Sequence, residues 1–226
     1  MNHLNKIILL YAMSIAAPSA FAGNALLFQD PHLVAYNDNG RITGVYSSIG
    51  STQSCYFLFY GTLTGGSPDK NGYASSKIET FLPGDKILDF SNRAEGFDIS
   101  GKLYSDDSDW IIRTDHPQAG CASAQGVFEF DPPDYRAKNY SIDSTIPALG
   151  IRLIKDKSIL YDFKDGKFLA RKGYLTKWDG VVVIKTTKDG FSYVRYVDAG
   201  PKHDGRVTFG WVHTSDLVDP FPPPTK

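Results

Sequence analysis

Almost every segment of the chain either alternates apolar and polar residues or runs in short blocks of β-branched and aromatic side chains, with turn residues recurring at short intervals. A period of two predicts antiparallel β structure with few helices. His32-Leu33-Val34-Ala35-Tyr36 and Arg41-Ile42-Thr43-Gly44-Val45-Tyr46 flank Asn37-Asp38-Asn39-Gly40, and Asn-Gly supplies the positive φ angles that a tight hairpin requires. Cys55-Tyr56-Phe57-Leu58-Phe59-Tyr60 is a continuous apolar strand ended by Gly61, and the Gly/Ser/Asp/Asn-rich stretch through Gly72 is an exposed loop. Further strands are expected at Lys86–Phe90, Gly96–Tyr104, Trp110–Arg113 and Gly126–Phe130. From Asp131 three prolines and the loss of periodic pattern mark a linker, taken as 136–149. A second β unit at 150–219 carries strands at Ile151–Ile154, Ser158–Tyr161, Val181–Ile184, Phe191–Tyr196 and Val207–His213. The tail at 220–226 is proline-rich and expected to be extended and frayed. The fold class is therefore all-β, mainly antiparallel, with an N-terminal sheet or sandwich at 23–135 and a smaller β unit after it.

The first 22 residues differ from the rest. Lys6 is their only charged side chain, Ile7–Ala17 is apolar, and Ala20-Phe21-Ala22 has the small-x-small form of a signal-peptidase site. This is the pattern of a secretory signal cleaved after Ala22, and the apolar run is short of the roughly 20 residues a spanning helix needs. The expected location is the bacterial periplasm or the outside of the cell, with no membrane span. Cys55 and Cys121 are the only cysteines, and in an oxidising compartment they are expected to pair and staple the N-terminal unit. The rival reading makes Cys121 a nucleophile served by His116.

In the second unit the order Arg152-Leu153-Ile154, Gly173-Tyr174-Leu175, Val181-Val182-Val183-Ile184, Phe191 to Val197 and Gly205 to Val218 resembles the bacterial SH3-like domain, with Gly210-Trp211-Val212 and Leu217 matching its closing element. The likeness implies a small β-barrel and an association with cell-wall peptide or glycan recognition. The chain departs from it at Phe191, where Trp is frequent, at Trp178-Asp179-Gly180 and in an enlarged loop around Pro201–Asp204.

Charge separates the two units. Residues 23–149 hold 9 Lys+Arg and 16 Asp+Glu, a net of −7, whereas 150–219 hold 13 and 9, a net of +4. The acidic half, with Asp106, Asp107 and Asp109 close together, suits a cationic partner and repels nucleic acid. No HExxH, Walker, dinucleotide or G-x-S-x-G motif occurs, and His32, His116, His203 and His213 are not at zinc-ligand spacing. Catalytic residues, metal and cofactor are accordingly assigned as none. Aromatic residues are the recognition candidates: Tyr161, Trp178 and Tyr193 by resemblance, while Trp211 fits either recognition or closure of the barrel core. The expected function is that of an exported non-catalytic binder, either a periplasmic inhibitor or immunity protein that blocks a basic wall-targeting toxin or lysozyme-like enzyme, or a peptidoglycan-binding module or adaptor. A third reading is a wall hydrolase with a C-terminal targeting domain.

Overall fold

The computed structural model describes residues 23–50, 54–121 and 128–224; the segment read as a secretory signal, 1–22, and the start of the strand expected at Gly126–Phe130 lie outside them. The protein is all-β and antiparallel. Eight strands, β1 (Gly23–Phe28), β2 (Leu33–Asp38), β3 (Arg41–Ile49), β4 (Ser54–Thr62), β5 (Ala74–Phe81), β6 (Ile99–Ser105), β7 (Asp109–Thr114) and β8 (Tyr140–Ala148), form a closed barrel in sequence order. The N-terminal unit is thus neither an open sheet nor a sandwich, because β1 pairs with β2 on one side and with β8 on the other. The hairpin at Asn37–Gly40 forms as expected, with Asn39 and Gly40 both at positive φ.

Alternation along the strands sorts side chains to two destinations. Leu33, Ile42, Tyr46, Phe57, Phe59, Ile78, Leu103, Trp110, Ile112 and Tyr140 fill the barrel interior, which is a packed core and not a lumen. Gly44 is required there. A Cβ at that position would lie 2.1 Å from Phe59 Cζ, because Gly44 faces Phe59 across the β3–β4 ladder. Val34, Tyr36, Val45, Leu58 and Phe81 project outwards and are nevertheless buried, since they pack against Ile151, Leu153 and Val182 of a second sheet.

That sheet holds seven strands in the order β11-β10-β14-β13-β12-β9-β15, namely β9 (Gly150–Ile154), β10 (Ser158–Lys164), β11 (Lys167–Leu175), β12 (Gly180–Thr186), β13 (Phe191–Val197), β14 (Val207–His213) and β15 (Leu217–Val218). Ile154, Leu160, Val181, Val183, Val194 and Val212 form its own core. One face of β9 and β12 therefore lies on the barrel, and the other closes over a half-barrel core.

Four expectations need correction. The segment read as a linker is largely strand β8, and Leu149 alone separates it from β9. Its Pro147 misleads a sequence reading, but Pro147 pairs only with Asn24 of β1, whereas β7 meets β8 only at Tyr140 and Ser141; a missing N–H is tolerated where one side of a strand has no partner. Lys86–Phe90 is not a strand: Leu88 is buried, but the chain passes through bends into a 3-10 turn at Phe90–Asn92. A second 3-10 turn at Glu95–Phe97 delays β6 to Ile99. The tail is also anchored, since Phe221 is buried against Phe81 and Arg41 donates to the carbonyl of Pro222.

Candidate functional site

Cys55, at the start of β4, is bonded to Cys121 beyond β7. Cys121 therefore carries no free thiol in this state, and the nucleophile reading has no support at that residue.

Where β10, β13 and β14 leave the barrel, their outer face remains uncovered and is built of rings. Tyr161 on β10 and Tyr193 on β13 both stand opposite Trp211 on β14. Phe191 lies opposite His213, and Phe163 opposite Phe168 across the β10–β11 hairpin. Phe168 and Phe191 stack with centroids 3.7 Å apart; Tyr161 meets Phe191 edge-on at 5.4 Å, and Tyr193 lies 5.1 Å from Trp211. Lys185 Nζ sits 5.4 Å from the Trp211 ring and 5.5 Å from that of Tyr193. Phe163 is 53% exposed and Phe209 42%, whereas Trp211, covered by its neighbours, is only 9% exposed. Ser192 and Val194 point the other way, into the half-barrel. Alternation on β13 is thus settled with Phe191, Tyr193 and Arg195 on the outer face. Contiguous exposed apolar patches of this kind are the surfaces on which binding is to be sought.

Two of the three aromatic candidates, Tyr161 and Tyr193, fall on this shelf and share Trp211 as a neighbour. Phe168, Phe209 and Lys185 complete it and escaped the sequence reading. The signal for Phe168 was present, since Asp165-Gly166 between Phe163 and Phe168 is a hairpin turn with both residues at positive φ.

Trp178 is elsewhere, at the seam between barrel and sheet. It adopts φ +74° in the turn before β12, stacks on Tyr56 of β4 at 5.8 Å with an 18° interplanar angle, and accepts a hydrogen bond on its carbonyl from the Tyr56 hydroxyl at 3.1 Å. Its indole N–H is buried without a partner. It lines a cavity of about 300 Å³ with Val34, Val45, Tyr56, Val182 and Arg195. Asp179 borders the same space; burial pushes its carboxyl up against the opposing hydrogen bonds from Thr176 and Tyr196. His32, on the rim, bridges Asp30 of the barrel and Asp204 of the second unit, both at 2.8 Å. The enlarged loop around Pro201–Asp204 thus serves as one arm of a clasp.

The acidic candidates lie on the barrel, not on the shelf. Asp106 accepts from the backbone N–H groups of Ser108 (2.7 Å) and Asp109 (2.6 Å), and Asp109 accepts from the Ser141 hydroxyl at 2.5 Å. Burial raises the Asp106 carboxyl, but these hydrogen bonds outweigh it and the net shift is downward. Two of the three carboxylates therefore shape the β6–β7 turn, while Asp107 is simply exposed. Among the described residues no group of three or more His, Cys, Asp or Glu is placed to hold a metal ion, and no helix is long and apolar enough to cross a membrane.

Comparison with protein-family models, curated proteins and solved structures found no match.

Proposed function

We propose that the protein is an exported, non-catalytic binder that holds peptidoglycan on the aromatic shelf of its second sheet. The observation that carries this reading is the run of rings packed about Trp211, with Tyr161 and Tyr193 opposite it in register and Phe163 and Phe209 exposed beside it. Flat ring faces stack on the apolar faces of sugars and on extended peptides, and Lys185 adds a cation where the stem peptides of the wall carry carboxylates. The net charge of +4 on this unit favours the same polymer. The residues behind the SH3-like resemblance fall mainly on β9, β11, β12, β13, β14 and β15 of one sheet, which supports that assignment as part of the proposal. Co-sedimentation with purified sacculi tests it: saturable pelleting that Phe163→Ala with Phe209→Ala abolishes is expected, and a protein that stays in the supernatant removes the reading.

The charge of the other unit favours a second reading, an inhibitor or immunity protein whose acidic barrel blocks a basic wall-degrading enzyme. At net −7, its complex would form quickly and weaken with salt. A one-to-one complex with a basic muramidase on gel filtration, lost at high ionic strength, would establish it.

A further inference from the structure

The cavity at the seam adjoins the aromatic shelf through Arg195, which stands opposite Phe209, but none of the shelf's rings lines it. Its walls are mainly apolar: Val34 and Val45 from the barrel, Val182 from the second sheet, and the stacked rings of Tyr56 and Trp178. At about 300 Å³ it lies at the small end of ligand sites. At roughly 30 Å³ per group it accepts about ten non-hydrogen atoms.

The polar groups around it are unequal. Asp179 already accepts from the Thr176 N–H (2.7 Å), the Thr176 hydroxyl (3.2 Å) and the Tyr196 hydroxyl (3.2 Å). His32 is held between two carboxylates, and Lys177 is exposed to solvent. Two donors lack an acceptor among the described residues. The Trp178 indole N–H is buried and unpartnered, and Arg195, half-buried on β13, makes no hydrogen bond or ion pair among the described residues. Asp143 on β8 only acts on it through space, and burial lowers the guanidinium's affinity for its proton. A guanidinium half withdrawn from water gains from a further partner, and the group that fits it best is a carboxylate, which takes two parallel N–H donors. The satisfied carboxylate and the unsatisfied donors together select an anion over a cation.

We propose that this cavity binds a small amphiphilic carboxylate, with its apolar body among Val34, Val45, Val182 and Tyr56 and its carboxylate on Arg195. The ligand class is a monoanion of about eight carbons, a medium-chain fatty acid or an aryl carboxylate of like size.

The test uses the mature, disulfide-intact protein and octanoate, with octanol and octylammonium as neutral and cationic counterparts of the same chain. Titration followed by calorimetry and by tryptophan fluorescence is expected to show saturable one-to-one binding of octanoate, with the other two at least about tenfold weaker. Arg195→Gln should weaken octanoate about tenfold or more, while Arg195→Lys, which keeps the charge, should lose less. Trp178→Phe should remove the fluorescence change, since Trp110 lies in the barrel and Trp211 on the shelf. Circular dichroism of each variant separates lost binding from lost folding. Failure of octanoate to bind, equal binding of octanol, or an Arg195→Gln variant that folds and binds unchanged would overturn the proposal.

Discussion

His32 Nε2 lies 2.8 Å from Asp204, so a barrel side chain is tied to the loop between β13 and β14, 172 residues further along the chain. Its Nδ1 is engaged at the same distance by Asp30, which also pairs with Lys138. Asp30, then burial in the opposite sense, then Asp204 set the imidazole's proton affinity, and the net shift is upward from 6.5. Burial raises Asp30, but the hydrogen bonds from His32 and Lys138 outweigh it and its carboxyl is held below the ordinary range.

A raised histidine stabilises the fold fully below its unfolded value near 6.5 and loses that contribution as pH climbs through the folded value; the depressed Asp30 stabilises above 3.8 and loses as pH falls through its own folded value. Urea midpoints of the wild type should therefore be higher near pH 6 than near pH 9, and His32→Gln should flatten that alkaline decline. Parallel declines in the two proteins would mean that the clasp does not titrate.

The Cys55–Cys121 bond closes a separation of 66 residues, which corresponds to about 4 kcal/mol in the chain-entropy account. Cys55→Ser with Cys121→Ser should lower the unfolding free energy by roughly 2–4 kcal/mol. An unchanged denaturation midpoint would show that the barrel does not depend on its staple.

Gly44→Ala should destabilise by about 1–3 kcal/mol through overpacking, because the added methyl enters the Phe59 ring. Phe59→Leu should recover part of that loss when combined with it, although it is itself destabilising. A double variant no better than the sum of the two single losses would argue against that contact.

Phe221→Ala should cost about 3–5 kcal/mol, since this ring of the tail is buried against Phe81 of the barrel. Thermal unfolding checks this, and a change within a few tenths of a kcal/mol would mean that the tail is loosely held.

The class of fold was readable because β structure writes its period directly: the hairpin at Asn39-Gly40, the block Cys55–Tyr60 and the valines of β12 all form as the pattern implies. Closure of the barrel was hidden. β8 exposes Asp143, Ser144 and Thr145 on a partly solvated wall and contains Pro147, so its sequence looks like a linker. It becomes a strand only because β1 and β8 pair, a contact between residues more than 100 positions apart. Tyr161 and Tyr193, singled out by the SH3-like resemblance, share one face because both pair with Trp211. The displacement of Trp178 to the seam was not legible, since it depends on how the two sheets pack.

The central claim concerns the outer face of β10, β13 and β14, and its most direct test is a titration of the isotope-labelled protein with soluble peptidoglycan fragments, followed by amide and indole chemical shifts. The expected result is a saturable change confined to the Trp211 indole and the backbone around Tyr161, Phe191 and Tyr193, with the Trp110 indole unmoved. Shifts confined to the barrel, or none at fragment concentrations that saturate other wall-binding domains, would contradict the account.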